Sequence, residues 1–287
     1  MRVTEIRQQK TSDICATKYP ILLAHGVASR DTRPIGAWGR IPKALEEHGA
    51  AVYFGGQDSW GTIENNAEIL ARRILSIVRE TGCDKVNIIA HSKGGLDSRC
   101  AVASFGMDDH VASLTTICTP HHGVKTMDTL SKLPLPLFKI TGFIVDAVGR
   151  TFGDVEPDFT TTCQQWTTSN MSRFNENNPD SPKVYYQSFA AVMSSPFSDI
   201  LMSVPNLFTR GIDGANDGIV PVTSAEWGIY RGELRGDRRR GVSHVDVVDL
   251  RRRNVSGRYD GLSDSGEFSD TRVVYVNIAA ELKLMGF

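Results

Sequence analysis

"IIAHSKGGLDSR", Ile88 to Arg99, is the stretch whose reading decides the fold. Strand-forming residues lead to a serine, Ser92, and two glycines then open a helical pattern. A serine at a strand-to-helix corner is held in a strained backbone conformation, so the residues two before and two after it must be small. Those positions hold Ala90 and Gly94. The usual pattern is G-x-S-x-G, and A-H-S-K-G keeps the room that the turn needs. At such a corner the hydroxyl of Ser92 is exposed, and the backbone N–H of Lys93 points at an incoming carbonyl oxygen. Ser92 is therefore a candidate nucleophile.

Working outward, "YPILLAHGV" (19–27) is an apolar run ending in a loop, and "AAVYFGG" (50–56) resembles a second strand. From Thr62 to Thr81 the pattern is helical: Ile63, Ala67, Leu70, Ile74 and Ile77 share one face, and Gly82 fits the stop. "KVNIIAHS" (85–92) is a buried strand, Gly94 to Phe105 a helix, and "VASLTTICTP" (111–120) another strand. Strands alternating with helices predict an α/β fold with a mostly parallel central sheet flanked by helices. Residues 124–178 break the rhythm, with apolar residues (Leu133, Leu135, Phe138, Ile140, Phe143, Ile144 and Val145) among Gly, Pro and polar runs. They are read as a helical insertion over one end of a single domain spanning 1–287. "KVYYQSFAAV" resumes a strand pattern, and "RVVYVNIAAELKLMGF" closes the chain as a strand or a helix.

A nucleophilic serine needs a base and a group that orients the base. The chain has seven histidines. The side chain of His91 should diverge from its neighbour Ser92, and His25, in "AHG", suits support of the loop after the first strand. His48 and His110 sit in polar helix-end contexts, and His121 and His122 follow a strand end. The order serine, acid, histidine used by this kind of elbow selects His244, in "GVSHVDVV", as the base. Asp217, in "GANDGIVPV", is the leading candidate for the acid, with Asp213 and Asp199 as alternatives. An oxyanion needs two N–H donors. Lys93 offers one, and the loop after the first strand places Val27 as the second.

Near-neutral charge, −1 overall, gives no basic footprint for nucleic acid. No apolar run reaches transmembrane length: the stretch from Leu133 to Val148 is broken by Pro134, Pro136, Lys139 and Asp146. Five cysteines without C-x-x-C spacing read as free thiols, which favours a reducing compartment. The arginine runs 238–240 and 251–253 flank the His244 segment. Such runs ordinarily form a solvated face; the sharper reading is contact with anionic head groups.

Taken together, "YPILLAHGV", "VNIIAHSKGGLDSR", "LTTICTPHHGVKTMD", "VYYQSFAA", "GANDGIVPVTSAEWG" and "VSHVDVVD" resemble the α/β-hydrolase fold and, more narrowly, the true lipases of the Pseudomonas and Burkholderia type. The resemblance implies Ser92 as nucleophile, Asp217 as acid, His244 as base, and Val27 and Lys93 as oxyanion donors. It makes 124–178 a lid whose apolar residues cover the acyl pocket in water and meet a lipid interface transiently when open. A lipid ester, an acylglycerol, is the implied substrate, and the chemistry needs no cofactor. It also implies a structural Ca²⁺ near the base: Asp246, two residues after His244, matches one carboxylate ligand and Asp199 loosely the other, while Leu250 and Asn254 do not match further ligand positions. The alternative readings are a short-chain esterase, thioesterase or acyltransferase on the same scaffold, and a non-catalytic ligand-binding member of the fold. Export is the habit of the family, yet the polar N-terminus shows no signal peptide, so localisation stays open.

Overall fold

The apolar, β-branched runs with no polar face are strands covered on both sides, buried at every position, and they form the centre of the sheet. In the computed structural model, which describes residues 12–31, 36–132, 135–236, 240–260 and 265–287 (without the side chains of 135–141, 259, 260 and 265), the strands are β1 (Ile21–Ala24), β2 (Val52–Phe54), β3 (Val86–His91), β4 (Val111–Ile117), β5 (Tyr185–Val192), β6 (Ile229–Gly236), β7 (Gly257–Asp260) and β8 (Ser265–Phe268). Their order is β2-β1-β3-β4-β5-β6-β7-β8. The six from β2 to β6 run parallel, and β7 and β8 add antiparallel at the edge.

The period-two alternation of strands sorts the core into two layers. Ile21, Leu23, Ile89 and Ile117 face α1 (Ile41–Glu47) and α10 (Thr271–Leu284). Leu22, Ala24, Ile88, Ala90 and Leu114 face α2 (Ile63–Thr81) and α3 (Lys93–Ser104). The α2 boundaries follow its caps: the Thr62 side chain accepts from Asn65 N, and Gly82 takes a left-handed φ of 71° at the end. The closing segment, read as strand or helix, is the helix α10, with Asp270 accepting from Arg272 N at its start.

Between β4 and β5 lie α4 (Lys125–Leu130), α5 (Leu135–Thr151), α6 (Phe159–Gln165) and α7 (Thr168–Asn177), within the expected insertion. Leu133, and the side chains of Leu135, Phe138 and Ile140, lie outside the described residues. A further helix, α8 (Ser203–Asp213), packs on α4, and the short α9 (Val222–Ala225) precedes β6. Among the described residues no helix is long and apolar enough to cross a membrane. All five cysteines are free thiols, four of them buried.

Candidate active site

In an open parallel sheet, loops that leave the carboxyl ends of the strands converge on one rim. The β1–β3 register pairs Ala24 with Ala90, so Gly26 and Ser92 leave their strands side by side. Ser92 has φ 54° and ψ −131°, a conformation costly for a residue with a side chain. The turn is held by Ser92 N donating to Ile117 O (2.9 Å) and by Thr119 Oγ1 donating to Ser92 O (2.8 Å). The space for it comes from glycines. A Cβ on Gly26 would lie 2.6 Å from Ser92 Cβ, and one on Gly94 2.5 Å from the carbonyl oxygen of His25.

His244, 152 positions away in the chain, brings Nε2 to 2.9 Å from Ser92 Oγ. Its Nδ1 lies 2.6 Å from Asp217 Oδ2. A buried carboxylate can only accept, so Nδ1 carries the proton and Nε2 offers its lone pair to the serine hydroxyl. Asp217 is held in turn: Oδ1 accepts from Ile219 N (3.0 Å) and Val220 N (2.8 Å), and its carbonyl accepts from His244 N (2.8 Å). The three residues are nearly excluded from solvent, at 4, 0 and 5 % exposure for Ser92, Asp217 and His244. Of the other acid candidates, Asp213 accepts from Thr126 N and Oγ1 (3.2 Å each), and Asp199 meets Ser243 and Arg251; neither touches His244.

Val27 follows Gly26 in the loop beside Ser92, and Lys93 begins α3, where helix geometry leaves its amide without an intrahelical acceptor. The Lys93 side chain turns away into the core, donating to Asp97 Oδ1 at 2.5 Å. Burial pushes the Asp97 carboxyl up to about 6, against the pull of Lys93. Burial also lowers the Lys93 ammonium. The His25 ring lies 2.7 and 3.1 Å from the carbonyl oxygens of Gly26 and Gln57, and so ties down the loop that carries Val27.

Two contacts with His244 and Asp217 escaped the sequence reading. His91 points to the opposite face from Ala90, as strand alternation requires, and its ring packs on His244 with centroids 4.5 Å apart. Burial, reinforced by the neighbouring His244, holds it well below the usual imidazole range and hence neutral. The Cys118 thiol bonds the Asp217 carboxylate; burial first and that carboxylate second push it well above the ordinary thiol range. Ligand atoms of Cys118, Asp217 and His244 lie within 4.8 Å of one another. A soft metal would need the thiolate that burial opposes and the imidazole proton that Asp217 holds, so the trio reads as a hydrogen-bonded chain.

The residues do not fit the implied calcium. The Asp199 and Asp246 carboxylates lie together behind His244, yet guanidinium groups meet them. Arg251 forks onto Asp199 (2.5 and 2.6 Å), and Arg253 Nη2 donates to Asp246 Oδ1 (3.2 Å). Asn254 Oδ1 accepts from Arg40 Nη1 (3.1 Å). A hard cation takes six to eight converging oxygens, and N–H donors fill the positions it would use. The 251–253 run is correspondingly not a solvated face throughout: Arg251 and Arg253 turn to buried carboxylates, while Arg238 and Arg239 lie outside the described residues.

Comparison with known proteins agrees with this architecture. Residues 54–152 match the family described as "Putative serine esterase (DUF676)". The chain is 29% identical over 259 residues to triacylglycerol lipase 2 of Saccharomyces cerevisiae, covering 87% of this chain and 74% of that one. It is 32% identical over 178 residues to a triacylglycerol lipase of Burkholderia plantarii, covering 57% of this chain and 49%, about half, of that one. Among solved structures, the mature form of the Bacillus licheniformis lipase BlEst2 superposes with a TM-score of 0.61 at 21% identity, over 82% of this chain and 88% of that one. With its mostly parallel eight-stranded sheet and these structural neighbours, the chain has the α/β-hydrolase fold, and in sequence it is similar to serine esterases and triacylglycerol lipases.

Proposed function

We propose that the chain hydrolyses carboxylic esters of lipids, acylglycerols foremost, through an acyl-enzyme on Ser92. The observation that carries this reading is the run of hydrogen bonds Ser92 Oγ, His244 Nε2, His244 Nδ1, Asp217 Oδ2, at 2.9 and 2.6 Å. His244 Nε2 takes the hydroxyl proton as Ser92 Oγ bonds to the ester carbonyl carbon. The carbonyl oxygen becomes an oxyanion, held by the backbone N–H groups of Val27 and Lys93. His244 then gives its proton to the leaving alcohol as the C–O bond breaks. Water attacks the acyl-enzyme, losing a proton to His244, and release of the fatty acid returns that proton to Ser92. Asp217 fixes the tautomer and stabilises the transient imidazolium.

The lipid assignment draws on apolar surface. Phe143, Ile144, Val148 and Val155, in and after α5, are 50 to 76 % exposed. Ile200, Val204, Leu207 and Phe208, on and before α8, are 62 to 91 % exposed. Contiguous apolar patches on a soluble chain mark surfaces that meet something apolar. Ser92 and His244 are buried, so a long acyl chain enters only when a cover moves. We assign that cover to the insertion 124–178, a lid whose outer face lies on the lipid interface when open.

Ser92→Ala is expected to lower ester hydrolysis by on the order of 10⁶-fold while the protein stays folded. A fluorophosphonate probe should label the wild type at Ser92 alone. A folded Ser92→Ala variant turning over esters at near the wild-type rate would overturn the reading. Emulsified long-chain acylglycerols should be preferred to soluble short-chain esters; the opposite preference would make the chain a short-chain esterase.

A further inference from the structure

We propose that Arg251, assisted by Arg253, is a positioning residue for His244: a guanidinium clasp standing where a divalent cation would otherwise tie the loop of the base to the body of the protein. The clasp joins two buried carboxylates from distant segments, with side-chain exposures of 0 % for Asp199 and 2 % for Asp246. Two such charges side by side repel, and each is costly to bury without a cation. Arg251 Nη1 and Nη2 form a two-pronged fork with Asp199 Oδ2 and Oδ1 at 2.5 and 2.6 Å. Arg253 Nη2 spans the pair, 3.2 Å from Asp246 Oδ1 and 3.9 Å from Asp199 Oδ2. Arg240 Nη2 donates to the other oxygen of Asp246 at 3.4 Å.

Both loops of the site hang on this cluster. Ser243, the residue before His244, donates its hydroxyl to Asp199 Oδ2 (2.7 Å) and accepts from Asp246 N (3.2 Å). On the other side, Asp199 Oδ1 accepts from Leu201 N (3.0 Å) and Met202 N (3.3 Å). The Met202 side chain packs on Gly218, next to Asp217; a Cβ at Gly218 would lie 2.8 Å from Met202 Cβ. Asp199 thus holds the base from one side and the turn of the acid from the other, and Arg251 fixes Asp199. A guanidinium is planar, carries its charge at every pH of use and matches a carboxylate through two parallel bonds. It is covalently part of the chain, so neither dilution nor a chelator removes it.

The inference rests on His244 as the base, and its test separates the two. Wild-type enzyme is dialysed against EDTA, and soluble-ester kinetics and melting temperature are followed with and without millimolar Ca²⁺. Neither quantity should change; activity or melting temperature that falls with EDTA and returns with Ca²⁺ overturns the clasp. Arg251→Ala is expected to lower kcat on the order of 10²-fold, the scale of a misplaced catalytic group, with KM little changed. Arg251→Lys, which keeps the charge without the fork, should recover part of that loss. In Arg251→Ala, Ca²⁺ should raise the melting temperature and part of the activity, a response absent from the wild type. A folded Arg251→Ala with wild-type kcat overturns the positioning role. If that variant does not fold, the kcat of Arg251→Lys and the chelator arm still decide. The melting readings do not depend on catalysis, so loss of the His244 assignment would show separately, as a His244→Ala variant with near-normal turnover.

Discussion

Asp217 shows how much one atom type decides. Its Oδ1 is fixed by two backbone N–H groups, and its Oδ2 faces His244 Nδ1. In Asp217→Asn the amide oxygen has to stay on the backbone donors, which turns the NH₂ toward Nδ1. Nδ1 must then accept, the ring proton moves to Nε2, and Ser92 loses its base while the fold is untouched. A drop in kcat on the order of 10⁴-fold is expected, with unchanged far-UV circular dichroism. A decrease of only a few-fold would show that tautomer control is not the role of Asp217. At this scale the sequence was eloquent about Ser92, because steric demands within five consecutive residues identify a strained corner. It said little about His91 and Cys118. Their contacts with His244 and Asp217 join residues far apart in the chain, and no local pattern marks a ring that packs behind another ring.

Among the elements, the junction of β1, β3 and α3 is the least forgiving. α3 leaves Ser92 so close to β1 that a Cβ on Gly94 would lie 2.5 Å from the carbonyl oxygen of His25 and also against that of Ala24. Those carbonyls belong to backbone at the sheet, which has no rotamer to adopt. Gly94→Ala should therefore push α3 off β1, destabilising the protein by about 1–3 kcal/mol as overpacking does. The shift also moves the Lys93 amide, so kcat should fall along with the melting temperature. A variant with lower stability and full kcat would detach the oxyanion role from Lys93. The apolar strands β1, β3 and β4 and the capped helix α2 were legible because burial and capping both leave local marks. α8 was not foreseen, since its two faces are reversed: Val204, Leu207 and Phe208 recur at helical spacing but point outward, while Asn206 and Thr209 are buried. β6, "IYRGELRG", and the edge hairpin of β7 and β8 lack a continuous apolar run and take their strand form from pairing with neighbours.

Over the whole molecule, the near-zero net charge conceals ionisable groups that folding has silenced. His91 and His121 are buried, and burial holds both well below the usual imidazole range. His121 is neutral by its bonds as well: Nδ1 accepts from Arg99 Nη1 at 3.4 Å, leaving Nε2–H to donate to Thr116 Oγ1 at 2.9 Å, and a second positive charge beside Arg99 is disfavoured. In the unfolded chain each histidine takes up a proton below about pH 6.5, while the folded protein refuses it. The unfolded state then binds more protons, so stability is full above that pH and declines as the pH drops below it. The slope is about 1.4 kcal/mol per pH unit for each such group. His121→Asn removes one of them. In urea unfolding at pH 7 the variant should be less stable than the wild type, having lost the Thr116 and Arg99 contacts. By pH 5 that gap should narrow by about 2 kcal/mol, because only the wild type carries the penalty. A gap of equal size at both pH values would mean that His121 is protonated in the folded state and that the Arg99 guanidinium tolerates a charged neighbour.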